Sequence, residues 1–243
     1  MQHRRTFLPL LFLTLSLTVL SACSAMPKQP DAAIKPFARS SALPARWQIF
    51  CIHMPYETET KWHLDTLLID RILAPELYRE KDNIALWRFH RRSGNDSAGH
   101  RLRFLVYAEE SALQRIAGAL QQSPLLEQLI RAKLVKNLDA ECGSGPESID
   151  VAATSDPNWS PELQHAWPYF AMGVSAALLD LIESERRKFP EQERSVEELL
   201  TMYEQIHKNI SRVWLKEGQH GFLHHLNALF GYQPIWLQQN SWF

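Results

Sequence analysis

Apolar and polar positions alternate most clearly in the first half of the chain, where they predict three strands. Residues 46–54 are apolar on both faces, which is typical of a central strand covered on both sides. Residues 84–91 and 101–108 alternate with a period of two and carry many aromatic and β-branched side chains. The turn-forming residues 93–99 join these two strands into a predicted hairpin.

Apolar residues at helical spacing lie between and after these strands. Residues 60–73 predict an amphipathic helix that ends before Pro75. A second helix is predicted to begin at Glu109, and a third at the serine–proline pair of residues 123–124. This order matches most of a ferredoxin-like split βαβ sheet, and residues 148–152 are the best candidate for its closing strand.

The second half of the chain has a helical pattern. Pro168 is predicted to kink or restart a helix, and the nearly continuous apolar run at residues 169–182 predicts a buried helix. Ser195 opens a capping box, Gly218 is predicted to stop the helix behind it, and residues 219–230 form a last helix. We therefore predict an α+β fold, with a ferredoxin-like split βαβ sheet portion followed by a C-terminal helical portion.

The first residues have the pattern of an export signal. Arg4 and Arg5 precede an apolar run at residues 8–20, which is short for a membrane span. The four residues Leu-Ser-Ala-Cys that end at Cys23 are typical of a bacterial lipobox. Cleavage before Cys23 would leave it as a lipidated N-terminus, carrying acyl chains such as palmitate. The alternative is an ordinary signal peptide with an incidental cysteine.

The residue after Cys23 predicts where the anchor lies. Ser24 stands there rather than an aspartate, which favours sorting to the outer membrane of the cell envelope, facing the periplasm. The adjacent Arg4 and Arg5 leave both general secretion and twin-arginine export open. The predicted organisation is a lipoprotein signal peptide at residues 1–22, a flexible tether at 23–45, and a single α+β domain at 46–243, with its sheet portion at 46–140 and its mainly helical portion at 141–243.

Charge and cysteine content narrow the function classes. The chain has 26 Lys and Arg against 27 Asp and Glu, so its overall charge favours no nucleic-acid partner. Cys51 and Cys142 could form a disulfide in an oxidising compartment, or Cys51 could be a buried apolar residue of a strand. Periodicity leaves both alternatives open.

The hairpin carries the densest basic cluster of the chain. Arg88, Arg91, Arg101 and Arg103 lie in it together with His100. Guanidinium groups bind carboxylates and phosphates in a bidentate manner, so this cluster is the candidate ligand-binding site. The alternative is a solvated sheet face whose acidic partners come from elsewhere in the chain.

Other catalytic and metal-binding patterns are weak. His220 and His224 are spaced so that both could face one metal, but no acid or cysteine accompanies them at ligand spacing. The sequence contains no phosphate loop, nucleophile elbow or Cys-x-x-Cys pair. Ser175 is interpreted as a small residue of a packed helix. We expect neither a bound metal nor a cofactor.

Two segments resemble a known family. Residues 89–92 and 100–104 (FHRR and HRLRF) are similar to an F-I-R-Y … H-L-R-L-R-F pattern. Residues 223–231 (LHHLNALFG) are similar to an H-M-x-x-N-R-L-F-G pattern. Both patterns belong to the thiopeptide-type bacteriocin biosynthesis domain, which is the C-terminal glutamate-elimination domain of class I lanthipeptide dehydratases. The resemblance covers residues 46–231.

The resemblance implies a β-elimination site acting on a modified peptide. Arg91, Arg101 and Arg103 would hold the leaving carboxylate, and His224 or His225 would move protons. The motif's own histidine position holds Leu223, however, and the arginine after its asparagine is Ala228. These departures favour a non-catalytic lipoprotein that binds an anionic or peptide ligand at a basic cleft. A lyase or cyclase, or a structural envelope lipoprotein, are the alternatives.

Overall fold

The computed structural model describes residues 45–55, 60–92, 99–140, 142 and 149–232. The predicted signal peptide, the lipidation site at Cys23 and most of the tether lie outside the described residues. Among the described residues, no helix is both long enough and apolar enough to cross a membrane.

Four antiparallel strands form one sheet. They are β1 (Ala45–His53), β2 (Ile84–Arg92), β3 (Arg101–Glu109) and β4 (Asn137–Asp139). Their order across the sheet is β2-β3-β1-β4, so β3 lies between β1 and β2, as a split βαβ unit requires. The predicted α+β fold is confirmed. The closing strand is β4 and not residues 148–152, since residues 151–154 form a 3₁₀ turn instead.

Five helical segments lie between the strands along the chain before β4. They are α1 (Trp62–Leu68), a π-helical turn (Ile69–Leu73), α2 (Ala74–Arg79), α3 (Glu110–Gln121) and α4 (Pro124–Arg131). The prediction that a helix ends before Pro75 is wrong. The π-helical turn places Pro75 in the first turn of α2, where a proline needs no N–H partner. After α4, Lys133 takes a left-handed backbone conformation with φ of 60°, and the helix ends there.

These helices cover one face of the sheet, which we call the helix face. Phe50, Ile52, Leu102 and Phe104 project from the strands into this core and are at most 1 % exposed. Apolar residues of α1 and α3, and of two later helices at Pro161–Arg186 (α5) and Val196–Val213 (α6), also belong to this cluster. A smaller cluster of Trp47, Leu86 and Leu105 lies on the opposite face, where Tyr169 and Met172 pack against it.

The helical portion consists of α5 (Pro161–Arg186), α6 (Val196–Val213), a second π-helical turn (Trp214–Gly218) and α7 (Gln219–Leu229). Pro168 does not restart the helix, because α5 continues through it from Pro161 to Arg186. The carbonyl of Gln164, which would accept the N–H missing from Pro168, accepts the Ser155 hydroxyl at 2.6 Å instead. Gly218 does not stop the helix either, since the π-helical turn continues into α7.

The α5 helix crosses the outer edge of β2. The Ser175 hydroxyl accepts the Phe89 N–H at 3.0 Å and donates to the Ala171 carbonyl at 2.7 Å. Ser175 therefore satisfies a backbone donor of the edge strand, beyond its predicted role as a small residue. Residues 169–182 are not uniformly buried as predicted, because Phe170 and Val174 are exposed on the outer side of this helix.

Two local features tie the chain together. The capping box at Ser195 forms as predicted: the Ser195 hydroxyl accepts the Glu198 N–H at 3.3 Å, and the Glu198 carboxylate accepts the Ser195 N–H at 2.8 Å. Cys51 and Cys142 are joined by a disulfide with their Cα atoms 5.6 Å apart. Of the two alternatives that the sequence left open, the structure has the disulfide.

Candidate functional site

The hairpin distributes its basic residues over both faces of the sheet, because neighbouring residues of a strand point in opposite directions. Arg88, Arg101 and Arg103 lie on the face opposite the main core, whereas Arg91 and His100 lie on the helix face. The five residues predicted as one ligand-binding set are therefore brought into two separate groups.

The first group forms a surface that we call the basic face, defined by Arg88, His90, Arg92, Arg101 and Arg103. In the strand register, Arg92 is directly opposite Arg101, and His90 is directly opposite Arg103. Like charges that face each other across a strand pair destabilise a sheet. Arg92 and Arg101 therefore place two cations side by side on this face.

Three arginines of this face have a buried Nε atom without a hydrogen-bond partner in the described part of the chain. The Nε atoms of Arg88, Arg101 and Arg103 are all shielded from solvent without a hydrogen-bond acceptor. Within the described part of the chain, none of these three arginines forms an ion pair with an acidic side chain. An unsatisfied buried donor costs about 1–3 kcal/mol, so an anionic acceptor would be favourable here.

The pKa values of three basic side chains on this face are lowered. Burial, and then the charge of Arg103, lower the pKa of Arg88 to about 10. Partial burial, followed by the charges of Arg101 and Arg92, also lowers the pKa of Arg103. The pKa of His90 is lowered by desolvation and then by Arg103 and Arg88. Burial is the largest cause of each shift, and the neighbouring cations of the basic face add to it.

An aromatic and backbone wall borders the basic face at Arg88. One Nη of Arg88 donates to the Thr154 carbonyl at 2.5 Å, and its guanidinium carbon lies 5.9 Å from the centre of the Trp167 ring. Trp167 in turn contacts Trp159 and Phe170. The 3₁₀ turn and the first half of α5 therefore hold Arg88 in place and provide an apolar wall beside the cations.

The second group is an internally satisfied cluster on the helix face. The Asp65 side chain, which is fully buried, accepts hydrogen bonds from Arg91 Nε and from His100 Nε2, each at 3.1 Å. Arg91 also donates to the Trp62 carbonyl at 2.6 Å and stacks over the Trp62 ring. Arg91 and His100 thus join the hairpin to α1, and their charges and donors are already used.

The candidate catalytic histidines lie on α7. His224 and His225 are both exposed. The His224 ring stacks on His220 with 5.4 Å between ring centres and lies 5.6 Å from the ring of Tyr232. These contacts are within the C-terminal segment itself and involve none of the arginines of the basic face.

A group of possible metal ligands lies beside the basic face. The ligand atoms of Cys51, His53 and Cys142 all lie within 4.8 Å of one another. The disulfide occupies both sulfur atoms, so the folded chain offers no thiolate there.

A separate cavity lies between α2 and the connection from α5 to α6. It has a volume of about 690 Å³. Its buried carboxylate, Asp70, accepts a hydrogen bond from Tyr203 and forms an ion pair with Arg186. Burial raises the pKa of Asp70, although Tyr203 and Arg186 oppose the shift. Because these charged groups are paired within the wall, the basic face is the stronger candidate site.

Sequence reasoning missed two residues of this site. Trp167 and Thr154 lie more than 60 residues from Arg88 along the chain, and no local pattern connects them to it. In contrast, the separation of Arg91 and His100 from the other arginines follows from strand alternation alone. That signal was present in the sequence.

Comparisons with known proteins identify no family for this chain. No family model matches it, and no curated protein matches it. Among solved structures, the crystal structure of TsrL is similar with a TM-score of 0.33 and 15 % sequence identity. The alignment covers 58 % of this chain and only 36 % of TsrL, so the chain spans about a third of that protein. A similarity at this level carries no functional argument.

Proposed function

We propose that this protein is a lipid-anchored protein of the bacterial cell envelope that binds an anionic group, such as a carboxylate of a peptide, at the basic face. The anchor is Cys23, and the tether of residues 24–45 connects it to the domain. The protein would face the periplasm from the outer membrane. This function needs no catalysis.

One observation carries the binding proposal. Three arginines of one surface have a buried Nε donor without an acceptor among the described residues. Carboxylate or phosphate oxygens would satisfy these donors and offset the mutual repulsion of the guanidinium groups. The aromatic wall at Trp167 would suit a ligand that also has an apolar part, as a peptide has.

The arrangement of histidines supports binding rather than catalysis. A general base has to come within hydrogen-bond reach of the bound substrate. His100 is buried on the other side of the sheet against Asp65, and the known contacts of His224 are within its own segment. The basic face itself contributes His90, whose pKa is lowered.

Ligand binding is tested on the chain beginning at Ser24, which lacks the signal and lipid but keeps the compact unit Arg39–Phe243. Calorimetry with glutarate, inorganic phosphate and a hexaglutamate peptide should show saturable binding, strongest for the peptide. Arg103→Met and Arg88→Met should each weaken this binding at least tenfold. Equal affinity of wild type and Arg103→Met would contradict the proposal.

A matched control separates the site from general charge effects. Arg187 is an exposed arginine at the end of α5, far in sequence from the hairpin, so Arg187→Met removes the same charge from the surface. Its affinity for the three probes should equal that of wild type. If Arg187→Met weakens binding as much as Arg103→Met, the basic face provides only a diffuse positive potential.

The anchor is tested separately by growing cells that express the full chain with labelled palmitate. Wild type should incorporate the label and fractionate with the outer membrane. Cys23→Ala should lose the label, whereas Cys142→Ser should keep it. Label retained by Cys23→Ala would exclude this lipidation site.

A further inference from the structure

The C-terminal segment exposes a large apolar surface. Residues 214–232 contain seven large hydrophobic side chains that are between 43 and 72 % exposed: Trp214, Leu215, Phe222, Leu223, Leu229, Phe230 and Tyr232. None of the residues of α7 is buried, so this helix adds nothing to the core. Contiguous exposed apolar side chains on a folded chain mark a surface that interacts with something.

The apolar residues of α7 form a stripe along one side of the helix. Phe222, Leu223, Leu226, Leu229 and Phe230 are spaced i, i+1, i+4, i+7 and i+8, which spans about a third of the helix circumference. The opposite side carries His220, His224, Asn227 and Ala228. An amphipathic helix normally turns such a stripe towards the core, but here four of its five residues are exposed and Leu226 is half-buried.

The segment also has an unusual composition. Residues 218–243 contain no Asp, Glu, Lys or Arg, whereas six of these residues are aromatic. Protein–protein interfaces usually have a polar rim in which arginine is frequent. Aromatic side chains with uncharged polar neighbours are typical of the interface between a bilayer and water, where charged groups are costly and aromatic rings are favoured.

We propose that α7 lies on a phospholipid bilayer, with the stripe of Phe222, Leu223, Leu226, Leu229 and Phe230 inserted among the headgroups. The packing of Trp214 against Phe222, with 6.1 Å between ring centres, places the π-helical turn on the same surface. The α7 helix has 11 residues, whereas a helix that spans a bilayer needs about 20. In this proposal it therefore lies parallel to the bilayer surface. This contact does not depend on the lipid at Cys23.

The test uses the chain beginning at Ser24, which carries neither lipid nor the apolar signal run. It is mixed with vesicles of phosphatidylethanolamine and phosphatidylglycerol and sedimented. Wild type should sediment with the vesicles, and its tryptophan emission should shift to shorter wavelength. The triple variant Phe222→Ser, Leu229→Ser, Phe230→Ser should bind at least tenfold more weakly with unchanged thermal stability, because α7 contributes no buried residue.

The matched control removes exposed apolar side chains from α4 and α5 instead. The triple variant Ile130→Ser, Leu163→Ser, Val174→Ser should bind vesicles as wild type does. Equal binding by the α7 variant, or no binding by wild type, would overturn the proposal. A wild-type dimer in solution that the α7 variant loses would overturn it as well, since a second copy would then cover the stripe. Glutarate binding in the α7 variant reports on the basic face independently.

Discussion

The two faces of the hairpin carry similar side chains in opposite states. On the helix face, Arg91 and His100 share the buried carboxylate of Asp65. On the basic face, Arg101 and Arg103 have buried Nε atoms without any acceptor. In the sequence, the two groups differ only in whether a residue occupies an odd or an even position of its strand. In the structure, they differ in whether a neighbouring helix supplies an acidic side chain.

This contrast separates structural from functional charge. A buried ion cluster with all donors satisfied fixes how α1 meets the hairpin, so its residues serve the fold. Cations gathered without counter-charge reduce stability, and such an arrangement persists where something other than folding selects it. Arginine therefore has two roles on one hairpin: Arg91 serves the fold, and Arg103 belongs to the candidate site.

The largest expected effect is on the helix face. Asp65→Asn leaves Arg91 and His100 buried without their carboxylate, and it should lower the free energy of unfolding by about 3–5 kcal/mol. Urea denaturation measures this change. Glu127→Gln, which removes an exposed ion pair on α4, is the control and should change stability by less than about 0.5 kcal/mol. A similar loss in both variants would remove the distinction between the faces.

The helix face should also respond to acid. Burial, then the charges of Arg91 and His63, lower the pKa of His207 on α6 to about 4, although Asp65 opposes this. Because the pKa of His207 is lower in the folded state than in the unfolded state, the folded chain is favoured when the pH is above the unfolded-state pKa of about 6.5. This contribution to stability is lost as the pH falls from about 6.5 towards 4. Because His207 is half-buried, its share should be about 1–2 kcal/mol.

The measurement compares wild type with His207→Gln by urea denaturation at several pH values. Wild type should lose more stability than the variant between pH 6.5 and 4. Parallel pH profiles for the two chains would show that His207 contributes nothing to acid sensitivity.

A smaller effect is expected at the edge where α5 passes from one face to the other. Ser175→Ala removes the acceptor of the Phe89 N–H, and it should cost about 1 kcal/mol. Ser175→Thr keeps a hydroxyl and serves as the comparison. Hydrogen exchange of the Phe89 amide should accelerate in the alanine variant. Unchanged exchange would mean that this bond does not protect the strand edge.

The smallest effect should have the opposite sign. Arg103→Met removes a repelled cation and a buried donor without a partner, so the ligand-free chain should gain about 0.5–1 kcal/mol of stability. Arg91→Met on the helix face should instead destabilise the chain. Destabilisation of both variants in urea denaturation would show that Arg103 is a structural residue like Arg91.

Much of the fold follows from local patterns. The strand alternation at residues 84–91 and 101–108 and the capping box at Ser195 correspond to the observed elements. The prolines mislead because neighbouring structure compensates for them. Pro75 follows a π-helical turn, and the Gln164 carbonyl, which has no N–H to accept from Pro168, accepts the Ser155 hydroxyl instead. Such compensation comes from segments that periodicity cannot relate to each other.

The candidate site was predicted only in part. Local composition identified the arginine cluster, and parity alone separates Arg91 from Arg103. The sequence could not show that Asp65 would bind Arg91, or that Arg103 would form no ion pair with an acid in the described part of the chain, since such contacts join residues distant along the chain. Trp167 was missed for the same reason.

By itself, the sequence determined the three long strands, the capped helix starts at Ser123, Ser160 and Ser195, and the alternation that assigns each hairpin residue to a face, because these depend on neighbouring residues. Only the tertiary structure decided which face receives a carboxylate and which way the stripe of α7 points. Those outcomes depend on long-range packing, where one buried Asp65 accepts from two donors, while three arginine Nε atoms have no acceptor among the described residues.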